Sequence, residues 1–230
     1  MTTADRNLTV AIDTTADIAG VAVFDGDALV SELTWYSRQS HSRDLLPALD
    51  WLLDRAKRKK SEIANVVVCT GPGSYAGMRV GVSTAKALAF GLGASLAGVD
   101  RLAADALSFA GAAKGRVIAV HAAGRAELAW AAYDGEANEV VAPGLSPVAD
   151  LPAKIEDNDL VCGELATLPA AFVEALQARG VSVAAAHPSR VVAVGRLGLR
   201  RLAAGHRDDP NSLAPLYLRL PAIGPQPPVG

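Results

Sequence analysis

Apolar residues fall along this chain in short runs and in helical stripes, and their order predicts most of the fold. Leu8 to Asp13 is an apolar run that ends on a carboxylate followed by Thr14 and Thr15, and Ile18 to Phe24 is a second run. Asp25-Gly26-Asp27 separates it from Ala28 to Tyr36, and an Asp-Gly between apolar runs is a hairpin signal. The chain therefore opens with two or three antiparallel strands. Leu45, Leu46, Leu49, Leu52, Leu53 and Ala56 then recur on one helical face, with Ser40 or Ser42 as cap. Asp44 lies in the first turn, where the helix dipole favours negative charge. Val66 to Thr70 is almost continuously apolar, as a central strand is, and runs through Gly71-Pro72-Gly73-Ser74 into a helix over Tyr75 to Leu92. Ser95 to Val99 reads as a strand and Arg101 to Ala112 as a helix.

The second half repeats this plan in outline. Val117 to His121 and Leu128 to Tyr133 read as paired strands, with Asp134-Gly135 as a turn signal. Leu160 to Cys162 is a short strand, and Ala170 to Arg179 and Val191 to Ala204 are helices. Strands first, then strands alternating with helices, repeated once, predict an α/β protein of two similar lobes. The first lobe is assigned to 1–105 and the second to 106–220, with the helix at 190–205 a candidate to pack back on the first. Pro225, Pro227 and Pro228 mark 221–230 as an expected disordered tail.

Composition narrows the class. The 230 residues are 50% hydrophobic, enough to bury a sizeable core. Lys and Arg number 22 against 24 Asp and Glu, a net −2 that excludes a globally basic nucleic-acid binder. Arg55, Lys57, Arg58, Lys59 and Lys60 form a local basic cluster, which without interleaved aromatic residues reads as a solvated helix C-terminus, with a nucleic-acid contact as the alternative. Two cysteines, Cys69 and Cys162, exclude a disulfide scaffold and suit a reduced interior. The longest charge-free apolar stretch, Ala87 to Val99, is well short of the ~20 residues that span a bilayer. Met1 to Asn7 shows no apolar signal region, so a cytoplasmic protein away from the membrane is expected.

The densest chemical signal is Val66 to Gly81. A strand that passes through glycines into a helix N-terminus aims backbone N–H groups at one spot, which suits phosphate. No Gly-Lys-Ser/Thr closes the loop, so it is not a Walker A motif. Gly71, Gly73 and Ala76 fit a relaxed dinucleotide fingerprint, with Asp100 ending a later strand, which keeps an NAD-dependent dehydrogenase open. Against that reading stand the stiffening Pro72 and the hairpin that precedes the loop. Candidate nucleotide or phosphate-loop residues are Asp13, Thr14, Thr15, Gly71, Gly73, Ser74 and Arg79, the last reaching an anion, a partner carboxylate or a salt bridge within the lobe. His41, His121, His187 and His206 are too scattered for a His-x-x-x-His pair, no Gly-x-Ser-x-Gly elbow is present, and neither cysteine has an activating signature. No catalytic residue and no metal ligand is assigned.

The wider string Thr70-Gly-Pro-Gly-Ser-Tyr-Ala-Gly-Met-Arg-Val-Gly-Val-Ser-Thr-Ala-Lys-Ala-Leu-Ala89 closely resembles the signature of the bacterial YeaZ family, the TsaB-type tRNA threonylcarbamoyladenosine biosynthesis proteins. Ala11-Ile-Asp-Thr-Thr15 is similar to that family's first strand and phosphate-loop relic, His41-Ser-Arg-Asp-Leu-Leu-Pro47 to the start of its first helix, and Leu213-Ala-Pro-Leu-Tyr-Leu-Arg219 to its C-terminal tag. Ala76 and Met78 depart from the family's usual threonine and leucine. The resemblance implies a two-lobed actin, sugar-kinase and Hsp70-like (ASKHA) fold. In Asp13-Thr14-Thr15-Ala16-Asp17 no glycine lets the hairpin approach a phosphate, so no cofactor of its own is expected, and ATP or ADP only at an interface with partners. Arg101 and Asp105 match the two metal-ligand positions of the catalytic relative, and an arginine does not ligate. The implied role is a non-catalytic subunit that binds and activates a TsaD-type threonylcarbamoyltransferase, alongside a TsaE-type ATPase subunit. It would meet tRNA indirectly through the complex and form a homodimer when alone. Leu45, Leu49 and Leu52 with Met78, Val82 and Ala85 are the expected partner surface, since one sheet face hides only part of so broad a stripe, and Leu46 and Leu53 are assigned to the core. The alternative is an active nucleotide-dependent enzyme, either a sugar-kinase-like phosphotransferase or an NAD-dependent dehydrogenase.

Overall fold

The computed structural model describes residues 6–37, 40–185 and 189–218; the expected tail at 221–230, His187 and the Arg219 end of the C-terminal motif lie outside them. Strands β1 (Leu8–Asp13), β2 (Ile18–Asp25) and β3 (Ala28–Tyr36) form an antiparallel meander, followed by helix α1 (His41–Arg55), strand β4 (Ile63–Gly71), helix α2 (Tyr75–Leu92), strand β5 (Ser95–Asp100) and helix α3 (Arg101–Leu107). The second half runs β6 (Val117–Ala122), β7 (Glu127–Tyr133), β8 (Glu139–Pro147), β9 (Leu160–Gly163), α4 (Ala170–Ala178), β10 (Ser182–Ala185) and α5 (Val191–Ala203). The first sheet has the order β3-β2-β1-β4-β5, with β4 and β5 parallel to β1. The second repeats it as β10-β9-β6-β7-β8, with β9 and β10 parallel to β6. This is an α/β fold of two like-built lobes.

Three details depart from the sequence reading. Strand β8 was missed because Pro143, Gly144 and Pro147 interrupt its apolar pattern, which an edge strand tolerates. Strand β10 was missed because it is a four-residue edge strand with too little pattern to register. Helix α3 ends at Leu107 rather than Ala112, and the chain beyond it turns through Gly111 at φ 79°.

Period-two alternation sends β1 side chains to two different cores. Leu8, Val10 and Ile12 face α1 and α2, while Ala11 joins Phe24, Val67, Val191, Val194 and Leu202 under α5. Helix α3 meanwhile packs Leu102 and Ala106 against Val117, Ala119 and Tyr133 of the second sheet. Each lobe thus gives a helix to the space between the sheets. After α5 the chain crosses back over the first lobe. The Asp208 N–H donates to Leu96 O at 2.8 Å and its Oδ2 accepts from Gly98 N at 2.7 Å, so this strap closes the free edge of β5. Two members of the basic cluster are paired locally: Arg58 with Asp25 and Glu62, and Lys60 with Asp50 at 2.5 Å.

The expected partner surface is overturned. Leu45, Leu49 and Leu52 are each 1% exposed, and Met78, Val82 and Ala85 are equally core. The sheet and the flank between α1 and α2 together cover a broader stripe than one sheet face would. The phase was also misjudged, because Leu46, one residue off the Leu45–Leu49–Leu52 line, is 44% exposed.

The loop after β1 is locked onto the start of α2. Thr14 Oγ1 donates to Gly77 O at 2.7 Å, and the Ser74 N–H donates to Thr15 O at 2.8 Å. A Cβ on Gly77 would run into the Thr14 carbonyl oxygen, and one on Gly73 into that of Thr15. Gly77→Ala is therefore expected to cost roughly 2–3 kcal/mol and lower the thermal midpoint by roughly 4–10 °C. Gly91→Ala, late in the same helix with open space around it, should instead add about 0.5–1 kcal/mol. Calorimetry of both variants checks this, and equal midpoints would contradict it.

Candidate functional site

A cleft of about 800 Å³ opens between the lobes, bordered by the Pro72–Tyr75 loop, Thr15–Asp17, the Gly163–Thr167 segment and the Leu216–Leu218 strap. Element ends from both sheets meet at its floor. Asp13 closes β1, Arg101 opens α3, Asp105 lies one turn further on the same helix face, His121 is on β6, Glu164 follows β9, and Arg190 immediately precedes α5. Every one of them but Glu164 is buried.

Their charges interlock. Arg190 Nε donates to Asp13 Oδ2 at 3.1 Å and stands 3.7 Å from Asp105 Oδ1. Arg101 Nη2 is ion-paired with Glu164 Oε1. His121 Nε2 bonds Asp105 Oδ2 at 2.6 Å. Thr15 supplies both its N–H, at 2.9 Å, and its hydroxyl, at 2.6 Å, to Asp13 Oδ1. Burial would raise the Asp13 pKa, but Arg190, Arg101 and the Thr15 bonds outweigh it and hold the carboxyl below 3.8. Burial likewise opposes ionisation of Asp105, and His121 with the two arginines reverses it. Burial, reinforced by Arg101, depresses His121 despite Asp105, so the ring is neutral at pH 7. Burial pushes the thiols of Cys69 and Cys162 up, leaving neither activated as a nucleophile.

Of the residues singled out from sequence, Asp13 and Thr15 join this floor and Thr14 braces the loop beside it. Gly71, Gly73 and Ser74 build the glycine loop, where the Ser74 hydroxyl caps α2 by accepting from Gly77 N at 3.3 Å. These groups do not fit a metal-bound phosphate, since Asp13 is already neutralised by Arg190 and the Ser74 N–H is bound to Thr15. Among the described residues no three His, Cys, Asp or Glu side chains converge on a metal position. Arg79 lies apart from the floor; among the described residues it makes no salt bridge, and its guanidinium covers the Tyr75 ring at 5.4 Å. Asp100 caps α3 by accepting from Leu102 N at 2.7 Å and so is no ribose ligand. Sequence reasoning missed Glu164 and Arg190 altogether and set His121 aside as a lone histidine. The Arg101–Asp105 spacing on one helix face was the available clue.

The tRNA N6-adenosine threonylcarbamoyltransferase (TsaD) family model matches residues 36–222. The tRNA threonylcarbamoyladenosine biosynthesis protein TsaB of Bacillus subtilis is 30% identical over 221 residues, covering 91% of this chain and 93% of that one. The chain belongs to the TsaB (YeaZ) family. YeaZ from Pseudomonas aeruginosa superposes with a TM-score of 0.78 over 92% of this chain and 99% of that chain at 22% identity. A ROK hexokinase from Thermus thermophilus gives 0.52 over 86% of this chain and 100% of that chain at 10% identity, which places the TsaB-family fold among ASKHA-type architectures.

In this TsaB-family chain the buried ions depend on one another. Arg190→Met should cost about 3–5 kcal/mol by stranding two buried carboxylates, and adding Asp13→Asn should restore more than half of that. Urea denaturation of the single and double variants measures it; a loss below about 1 kcal/mol for Arg190→Met would refute the coupling. A second expectation concerns pH. Burial pushes Asp100, whose Oδ2 accepts from Tyr133 Oη at 3.2 Å, from 3.8 up to about 7. Above pH 3.8 the unfolded chain releases this proton while the folded chain keeps it, so the group removes stability as pH rises and its penalty levels off above 7. Asp100→Asn should therefore gain on the wild type by an amount that grows from pH 4 to pH 7, on the order of 2–4 kcal/mol, and then stays constant. Parallel melting curves across that range would show no divergence if the carboxyl ionised normally.

Proposed function

We propose that this chain is a non-catalytic subunit of the machinery that places a threonylcarbamoyl group on the adenosine beside the anticodon of tRNA, and that it binds and activates a TsaD-type catalytic subunit. Family membership supports the pathway. The observation that carries the non-catalytic reading is the internal neutralisation at the cleft floor: Asp13 is held by Arg190, and Arg101 by Glu164. The Ser74 N–H, bound to Thr15 O, counts against an autonomous phosphotransferase or a dehydrogenase, both of which need free loop N–H groups at a phosphate. ATP or ADP then belongs to the interface with partners, a TsaE-type ATPase subunit is a further member, and tRNA is met through the complex. Among the described residues no helix is long and apolar enough to cross a membrane.

We place the partner surface instead on other residues of the same two helices. Helices α1 and α2 leave Leu46, Trp51 and Phe90 exposed, Phe90 at 85%. Single large apolar side chains on a surface are ordinary, but three on two neighbouring helices suit a helix-on-helix contact with the catalytic subunit or, in its absence, with a second copy. Phe90→Glu and Leu46→Glu should fold normally yet weaken capture of the catalytic subunit by at least about tenfold and reduce tRNA modification in a reconstituted assay. Wild-type capture by both variants would move the interface elsewhere.

A further inference from the structure

The cleft floor leaves donors and acceptors over. Arg101 directs Nη2 to Glu164 and Nη1 to Pro72 O and Thr15 O at 3.4 and 3.5 Å, and its Nε has no partner among the described residues. Arg190 directs Nε to Asp13, with Asp105 Oδ1 3.7 Å from that Nε and Glu164 Oε1 3.8 Å from Nη1, and its Nη2 has no hydrogen-bond partner among the described residues. A neutral His121 that donates through Nε2 to Asp105 carries a lone pair on Nδ1, which also has no partner. Glu164 Oε2, a second acceptor, is 4.0 Å from that Nδ1. Both arginines and the histidine are more than nine-tenths buried, and all line the cleft; the Glu164 side chain, 34% exposed, lies over them. Two acceptors facing each other call for a donor between them, and idle guanidinium N–H groups call for an oxyanion.

We propose that this cleft binds a free α-amino acid, with its carboxylate on Arg101 and Arg190 and its ammonium held by Glu164 and His121 Nδ1. Charge is conserved in the exchange. The ligand's two charges take over the bonds that Arg101 and Glu164 make with each other, so neither the buried Arg101 nor the half-buried Glu164 is left unpaired. A plain carboxylate would strand Glu164, and a plain amine would strand Arg101. Ile18, Met78, Leu145 and Leu165 wall the remaining space, which suits an apolar side chain.

Titration calorimetry on the full chain with leucine and phenylalanine tests this, with leucinamide and N-acetylleucine as probes that each lack one charge. One-to-one binding of an amino acid is expected, with both probes at least about tenfold weaker than leucine. Glu164→Gln should reverse the order, weakening leucine and strengthening N-acetylleucine, because the ammonium loses its partner and the acid no longer displaces a charge. Arg101→Met should abolish both. If neither amino acid produces heat or a midpoint shift at millimolar concentration, the leftover groups bind ordered water only and the proposal fails. It fails equally if N-acetylleucine matches leucine in the wild type, which would make the floor a simple oxyanion site. Capture of the catalytic subunit by Phe90 variants is independent of either result.

Discussion

The Arg190 guanidinium lies buried within 3.1 Å of Asp13 and 3.7 Å of Asp105, and the placement of both lobes follows from keeping it there. Removing an ion of this size from water costs several kcal/mol, recovered only when carboxylates stand at fixed distances around it. That requirement ties the end of β1, the second turn of α3 and the entry to α5 to one point. It also accounts for the exchange of helices: α5 returns to the first sheet with Arg190 at its head, and α3 crosses to the second with Arg101 and Asp105 on its inner face. The lobes are interlocked through charge at the floor and through apolar packing on either side.

The same constraint decides the chemistry. Asp13, the carboxylate that ends β1, has its charge cancelled inside the chain by Arg190. One amide of the glycine loop, Ser74 N–H, is bound to Thr15 O, and Gly73 and Gly77 pack against the first loop so closely that a Cβ on either would meet its carbonyl oxygens. What the cleft retains is a partly open Glu164 above two arginines and a neutral histidine.

Local interactions were legible in the sequence. Helix α2 begins at Tyr75 and ends at Leu92 as read, because Ser74 caps one end and Gly93 in the left-handed region stops the other. The β2–β3 hairpin follows from Asp25-Gly26, and the glycine loop from its own spacing. These are decided by residues within a few positions of one another. Long-range packing was not legible. Whether Leu45 or Leu46 faces the core depends on where α2 lies beside α1, and a shift of one residue turns the helix face by about 100°. Asp13 and Arg190 are 177 positions apart, Arg101 and Glu164 are 63, and nothing near either member announces the other. The sequence by itself determined most of the elements, the two-lobed class and the family; the tertiary structure alone decided the charge network, because buried ion pairs form between whichever distant groups the packed sheets bring within a few ångströms.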